Sequence, residues 1–176
     1  MVIKQHDGYS SLSYIYSGDI MTFKLSNRSL RKLEGVHPLL VDTVKEAIKV
    51  SLVDFGVIYG VRDLAEQKRL YEAGRSQTMR SKHLIQEDGY SHAVDLMAFD
   101  GKNPSWDIVM YDDIADAMMM GANQTGAKIC WGAAWHIKDI ATWDGTMEQA
   151  MNAYVDLRRS QNRRPFIDGP HFQLTT

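Results

Sequence analysis

The sequence predicts an α+β domain: a small, largely antiparallel sheet flanked by helices. Three observations carry that expectation. Helical and strand-like patterns are interspersed along the chain. The strand-like runs are short, of hairpin length. No internal repeat, low-complexity tract or proline-rich linker divides the 176 residues, a length that buries one core without disulfides or a structural metal.

Residues 1–22 are rich in Ser, Tyr and Gly and follow no period, so an N-terminal arm is expected ahead of one domain over 23–176. Leu40, Val44, Ala47 and Ile48 recur at helical spacing, which predicts a helix over 39–52 with Pro38 in its first turn. Residues 57–61, Val-Ile-Tyr-Gly-Val, read as a buried strand. Asp63 followed by Glu66 is a capping-box pattern, and the short helix it opens ends at Gly74. From Arg75 to Ser91 the chain is polar and irregular. A loop longer than about 12 residues is often functional.

Residues 93–99 form the next expected strand. A second long helix is expected over 107–122, burying Ile108, Tyr111, Ala115, Met118 and Met119. Its Met118-Met119-Met120 run is read as core packing rather than a pliable binding surface. A strand over 127–131, a third helix over 147–160 and a terminal strand over 171–174 complete the order.

Apolar content of 44% and charged content of 24% are those of a soluble globular protein. A formal charge of -2 exerts no global pull on nucleic acid or an anionic membrane. Cys130 is the only cysteine, so neither an intrachain disulfide nor a thiolate zinc cluster can form. In a strand it is expected to be a small buried hydrophobe. No run approaches the ~18 apolar residues of a spanning helix. The first residues lack a continuous apolar stretch, so no secretory signal is expected.

Two distant segments offer imidazole and carboxylate groups. One runs from Ser81-Lys82-His83 to His92-Ala93-Val94-Asp95, the other is Asp168-Gly169-Pro170-His171-Phe172. A hydrolytic zinc site needs three protein ligands, an open position, and a carboxylate to move the water's proton. In a regular strand Asp95 shares a face with Ala93 and Met97, while Val94, Leu96 and Ala98 point the other way. His92, an odd number of residues from Asp95, then points away from it. The loop leaves His83 free to return, so His83 is favoured and His92 stays open as the alternative. Pro170 restricts the backbone between Asp168 and His171.

Other features favour structural readings. Arg158, Arg159, Arg163 and Arg164 suit a helix C-terminus. Of Trp106, Trp131, Trp135 and Trp143, at least two are expected in the core, the others being candidates for a groove. His136, beside Trp135, is a lesser candidate for the surroundings of the site. His6 and His37 carry no signal.

Ser81-x-His83, then Gly89 and His92-Ala93-Val94-Asp95, resembles the Ser-x-His…Gly-x-Ala-x-Asp signature of the M15 zinc peptidases. These comprise VanY-type D-alanyl-D-alanine carboxypeptidases and dipeptidases, and phage L-alanyl-D-glutamate endolysins. Residues 168–174, Asp-Gly-Pro-His-Phe-Gln-Leu, resemble the second signature of that family. Tyr59-Gly60-Val61-Arg62, with Gln67, Leu70-Tyr71 and Gly74-Arg75-Ser76, is similar to the segment before the first signature. Trp131-Gly132 and Trp135 resemble a motif of the endolysin branch. The resemblance spans roughly residues 22–176. The family's His-to-Asp spacing is shorter than the eleven residues between His83 and Asp95 here.

The resemblance implies a Hedgehog/DD-peptidase-like fold and one zinc ion per chain, held by His83, Asp95 and His171. It implies that Asp168 is the general base and Arg62 contacts the substrate carboxylate or the developing negative charge. Gln67 and Ser81 fall on the substrate side with Arg62. The implied activity is hydrolysis of a peptidoglycan stem-peptide bond, L-alanyl-D-glutamate in the endolysin branch, for host-cell lysis. The alternatives are a D,D-carboxypeptidase or dipeptidase, and from another class a non-catalytic zinc module. A monomer is expected, made in the host cytoplasm and acting on the wall after release.

Overall fold

In a computed structural model of the protein, residues 22–175 are described, so the arm expected over 1–22 lies almost wholly outside the described residues. The chain runs α1 (Asn27–Lys32), α2 (Pro38–Val50), β1 (Asp54–Tyr59), α3 (Leu64–Glu72), β2 (Ala93–Asp100) and β3 (Asn103–Ser105). It continues α4 (Ile108–Thr125), β4 (Ile129–Trp131), a 3-10 turn (Ile140–Thr142), α5 (Met147–Ser160) and β5 (His171–Leu174). The sheet order is β1-β2-β5-β4, with β3 paired to β2. Every ladder is antiparallel. The α+β expectation holds.

Strand alternation divides β2 as its sequence requires. Val94, Leu96 and Ala98 enter the main core with Leu40, Val44 and Ala47 of α2 and Ile114, Ala115 and Met118 of α4. Burying the Val, Leu, Ile and Met side chains stabilises by roughly 1.5–3 kcal/mol each, and the alanines by less. Helices α2 and α4 approach closely because Gly121 has no side chain, a Cβ there falling 2.6 Å from the Thr43 carbonyl oxygen. Met118 is fully buried within this seam and Met120 exposed, so the methionine run is core on one side only.

Local signals set the helix ends. Asp107 accepts the Val109 N–H at the start of α4, and Gly126 ends it in the left-handed region at φ +74°. Asp63 accepts the Glu66 N–H at 2.7 Å, but the reciprocal half of that capping box is absent. Glu66 faces Arg69 at 3.8 Å instead. The reciprocal box forms at α5, between Thr146 and Gln149.

Besides the 3-10 turn, two elements depart from the expected order. Helix α1 has six residues, too few for an apolar period to emerge. Strand β3 contains Pro104, which an edge strand tolerates because its missing N–H is not needed there. Strand β1 lies slightly earlier than expected, at Asp54–Tyr59. The 75–91 loop carries no helix or strand.

Candidate metal centre

Cross-strand register builds the site. Asp95 of β2 stands opposite His171 of β5 and opposite Tyr59 of β1, so Asp95 and His171 share one face of the sheet. The loop after α3 then returns His83 to that face. Asp95 Oδ1 lies 3.1 Å from His83 Nε2 and 3.0 Å from His171 Nδ1, and the two nitrogens are 3.3 Å apart. A tetrahedral ion with bonds of 2.0–2.1 Å holds its ligand atoms about 3.3 Å apart. The triangle is therefore of the right size for zinc.

The opposite edges of the rings decide what this triangle needs. His83 Nδ1 lies 2.7 Å from the Gly60 carbonyl oxygen and donates to it. His171 Nε2 lies 3.0 Å from Gln173 Oε1 and donates to it. Each neutral ring then turns a lone pair toward Asp95 Oδ1. Two lone pairs and a carboxylate oxygen in mutual contact repel unless a cation or proton lies between them. Burial raises the Asp95 pKa, but the His83 and His171 imidazoles outweigh it and hold the carboxylate below its ordinary range. For His171 burial lowers the pKa, and the bond and charge of Asp95 outweigh it, raising the value. The donor set fits a borderline divalent ion such as zinc.

A family model described as phage L-alanyl-D-glutamate peptidase matches residues 21–175. The chain belongs to this family. An L-alanyl-D-glutamate peptidase of Escherichia phage T5 is 25% identical over 120 residues, covering 66% of this chain and 84% of that protein. The crystal structure of the Serratia marcescens L-Ala D-Glu endopeptidase ChiX is 34% identical, covers 89% of this chain and 93% of that one, and has a TM-score of 0.63.

In this member of the phage peptidase family, the triangle opens on a cavity of about 680 Å³ that also touches Arg62, Ser81 and Asp168. Arg62 Nη1 donates to Gln67 Oε1 at 2.9 Å, and Nη2 lies 3.7 Å from Asp95 Oδ2. Its guanidinium also sits over the Tyr59 ring, 5.3 Å from the centroid. Gln67 is completely buried and donates to Ser76 Oγ at 2.8 Å and the Thr78 carbonyl oxygen at 2.6 Å. It braces Arg62 from behind. Ser81 is buried at the cavity wall, where its hydroxyl accepts the His83 N–H at 3.2 Å.

Asp168 is placed through the backbone. Its N–H donates to the Gly132 carbonyl at 3.0 Å, and its carbonyl accepts the His171 N–H at 3.1 Å. Trp131 locks the next residue, its indole N–H donating to the Gly169 carbonyl at 2.7 Å. Burial raises the Asp168 pKa, opposed by His171 and reinforced by Asp95. Gly132 lets these strands approach; a Cβ there falls 2.3 Å from the Asp168 carbonyl oxygen and 3.0 Å from the His171 Cβ.

Other candidates are placed elsewhere. His92 bonds Asp88 through Nε2 at 2.7 Å and takes no part in the triangle. His136 stacks on Tyr154, with ring centroids 5.8 Å apart, and does not reach the site. Trp131 is core, Trp143 packs partly buried against it, and Trp106 and Trp135 line the cavity. Arg158 and Arg159 end α5, and Arg158 reaches the Arg164 carbonyl. Cys130 is buried, which pushes its thiol up to about 11. Sequence reasoning assigned no role to Gly60, Gly132 or Gln173. All three lie inside the family motifs, where Gln173 sits two positions after His171 on the same strand face.

Proposed function

We propose that the protein is a zinc-dependent endopeptidase that cuts the L-alanyl–D-glutamate bond of peptidoglycan stem peptides during host-cell lysis. Family membership supports the substrate class. The observation that carries the metal chemistry is the convergence of the His83, Asp95 and His171 lone pairs at 3.0–3.3 Å.

Zinc held by those residues, which line the cavity, would polarise the scissile carbonyl and acidify a water molecule. Asp168 is the proton carrier. It takes the proton of the attacking water and returns it to the leaving amine. The raised pKa of Asp168 suits the first half of that task, since a stronger base gains the proton more readily. Arg62, held in place by Gln67, faces the oxygen that becomes negative. Arg75, Arg80 and Lys82 line the same cavity, and none has an acidic partner among the described residues. Their charge suits the carboxylates that follow the cut bond. In this reading the protein is a monomer made in the host cytoplasm, reaching the wall after another protein breaches the membrane.

The test is digestion of purified sacculi, with and without chelator, followed by mass spectrometry of the soluble fragments. A new free amine on D-glutamate is expected, abolished by the chelator. Released D-alanine would instead identify a D,D-carboxypeptidase. The Asp168→Ala protein should keep its zinc and lose wall clearing. Undiminished clearing by that variant rejects Asp168 as the base, whereas a wild type that holds zinc without clearing the wall supports the non-catalytic reading.

A further inference from the structure

A second group of metal-binding side chains lies outside the site and plays no part in the reaction described above. His37, Asp88 and His92 bring ligand atoms within 4.8 Å of one another. They come from three places: the residue capping α2, the long loop after α3, and the residue just before β2. His92 Nε2 lies 2.7 Å from Asp88 Oδ2, and His37 Nε2 lies 3.8 Å from the same oxygen. The two imidazoles stand edge to face with centroids 5.3 Å apart. His92 is only 6% exposed, and its Nδ1 is buried with no hydrogen-bond partner. The Asp88 side chain is 40% exposed, so the group opens to solvent on the carboxylate side.

The backbones that carry His37 and His92 are fastened through Ser91. His37 N–H donates to the Ser91 carbonyl and Ser91 N–H to the Gly35 carbonyl, both at 2.9 Å. His92 N–H donates to the Lys82 carbonyl, and its own carbonyl accepts the Leu174 N–H, both at 2.8 Å. Little ordering remains to be done when an ion arrives, which favours binding.

We propose that His37, Asp88 and His92 form a second cation site, for a divalent ion of the zinc, cobalt and nickel class. Two imidazoles and one carboxylate select such borderline ions over calcium or magnesium, which prefer all-oxygen shells. The ion replaces the proton that bridges His92 to Asp88 and the Nε2 proton of His37, which stands 3.8 Å from the same carboxylate oxygen. At His92 the ring proton can move to Nδ1, which makes no bond that would be lost. At His37 the cost is the 3.2 Å bond that Nδ1 accepts from the Leu39 N–H. Helix α2 tolerates this loss because Pro38 already suits its first turn.

Such an ion is a clamp. It joins the start of α2, the loop and the root of β2. Ser91, between Asp88 and His92, sends its hydroxyl toward the Lys82 carbonyl at 3.2 Å and the Gly60 carbonyl at 3.4 Å. Gly60 is the group that orients His83. Loading the second site therefore stiffens the segment that presents His83. The inference does not depend on the peptidase reading, because it rests on a separate set of ligands.

The experiment counts metal. Full-length protein is stripped with chelator, loaded with zinc, desalted and analysed for zinc per chain. Two ions are expected in the wild type and one in both Asp88→Ala and His37→Asn. The asparagine keeps a capping acceptor at α2, so an unchanged helical circular dichroism signal separates ligand loss from helix loss. The melting temperature should rise further in the wild type than in either variant when zinc goes from one to two equivalents. The His83→Ala protein should retain one ion and the His83→Ala/Asp88→Ala protein none, so failure at either centre is read on its own. A wild type that holds one ion, retained in Asp88→Ala and His37→Asn, overturns the proposal. So does a pair of ions that both substitutions leave in place.

Discussion

Replacing Gly132 by alanine tests how the site is assembled, because Gly132 has no side chain of its own to take part in the chemistry. The added Cβ falls 2.3 Å from the Asp168 carbonyl oxygen and 3.0 Å from the Cβ atoms of Asp168 and His171. Non-bonded heavy atoms settle near 3.5 Å, so the strands must separate by about 1 Å. No rotamer can absorb this, since the closest atom is backbone. The same residue exchanges backbone bonds with Asp168 and His171, so both move together, away from His83 and Asp95.

Overpacking of this kind costs about 1–3 kcal/mol of stability. Misplacing reacting groups by about 1 Å costs on the order of 10²-fold in rate. The assay is initial clearing of purified sacculi over a range of concentrations, giving kcat/KM, with zinc per chain and a thermal melt on the same preparation. Gly101→Ala is the control. There φ is +60° and nothing lies within 4 Å of the added Cβ, so roughly 1–2 kcal/mol is lost to the left-handed backbone with kcat/KM intact. A Gly132→Ala protein as active as wild type refutes the view that this close approach positions Asp168 and His171.

Three further outcomes are expected. Gln173→Leu removes the acceptor that fixes the His171 ring and should weaken zinc binding about 10–100-fold, read by chelator competition; unchanged affinity would show that the tautomer is set elsewhere. Arg62→Lys cannot span Gln67 and Asp95 with one planar fork, so kcat should fall about 10²–10³-fold while zinc content stays constant. Asp112 is raised to about 7, first by burial and then by Glu148, Asp116 and Asp113. Its folded-state pKa exceeds the unfolded value of about 3.9, so the native state binds the proton more tightly, and stability falls as pH rises from 4 through 7. Asp112→Asn should therefore be more stable than wild type at pH 8, by roughly 1–2 kcal/mol once the ~4 kcal/mol of the full shift is discounted for solvent screening, with the gain vanishing near pH 4. An equal gain at both pH values would place its origin outside ionisation.

Much of the architecture was legible where short-range physics acts alone. Helix α5 spans the residues expected for it, Met147–Ser160. Leu40, Val44, Ala47 and Ile48 are all buried, as their spacing demands. Helix α1 and strand β3 escaped notice because six and three residues are too short to display a period. The alternation of β2 kept His92 off the Asp95 face, and the structure places it accordingly. His92 bonds Asp88 four positions before it, but the ring contact with His37, 55 positions away at a helix cap, was hidden.

The order of amino acids by itself determined the element types, the face that Asp95 presents and the residue types available to hold a metal, because these follow from backbone periodicity and side-chain chemistry. Only the tertiary structure decided which imidazoles meet which carboxylates. His83 reaches Asp95 across a loop, and His171 reaches it across a strand pair separated by 76 residues. The tautomers were likewise settled by the Gly60 carbonyl and Gln173. Hydrogen-bond partners at such separations are chosen by strand register and loop closure, which act over distances that local sequence does not encode.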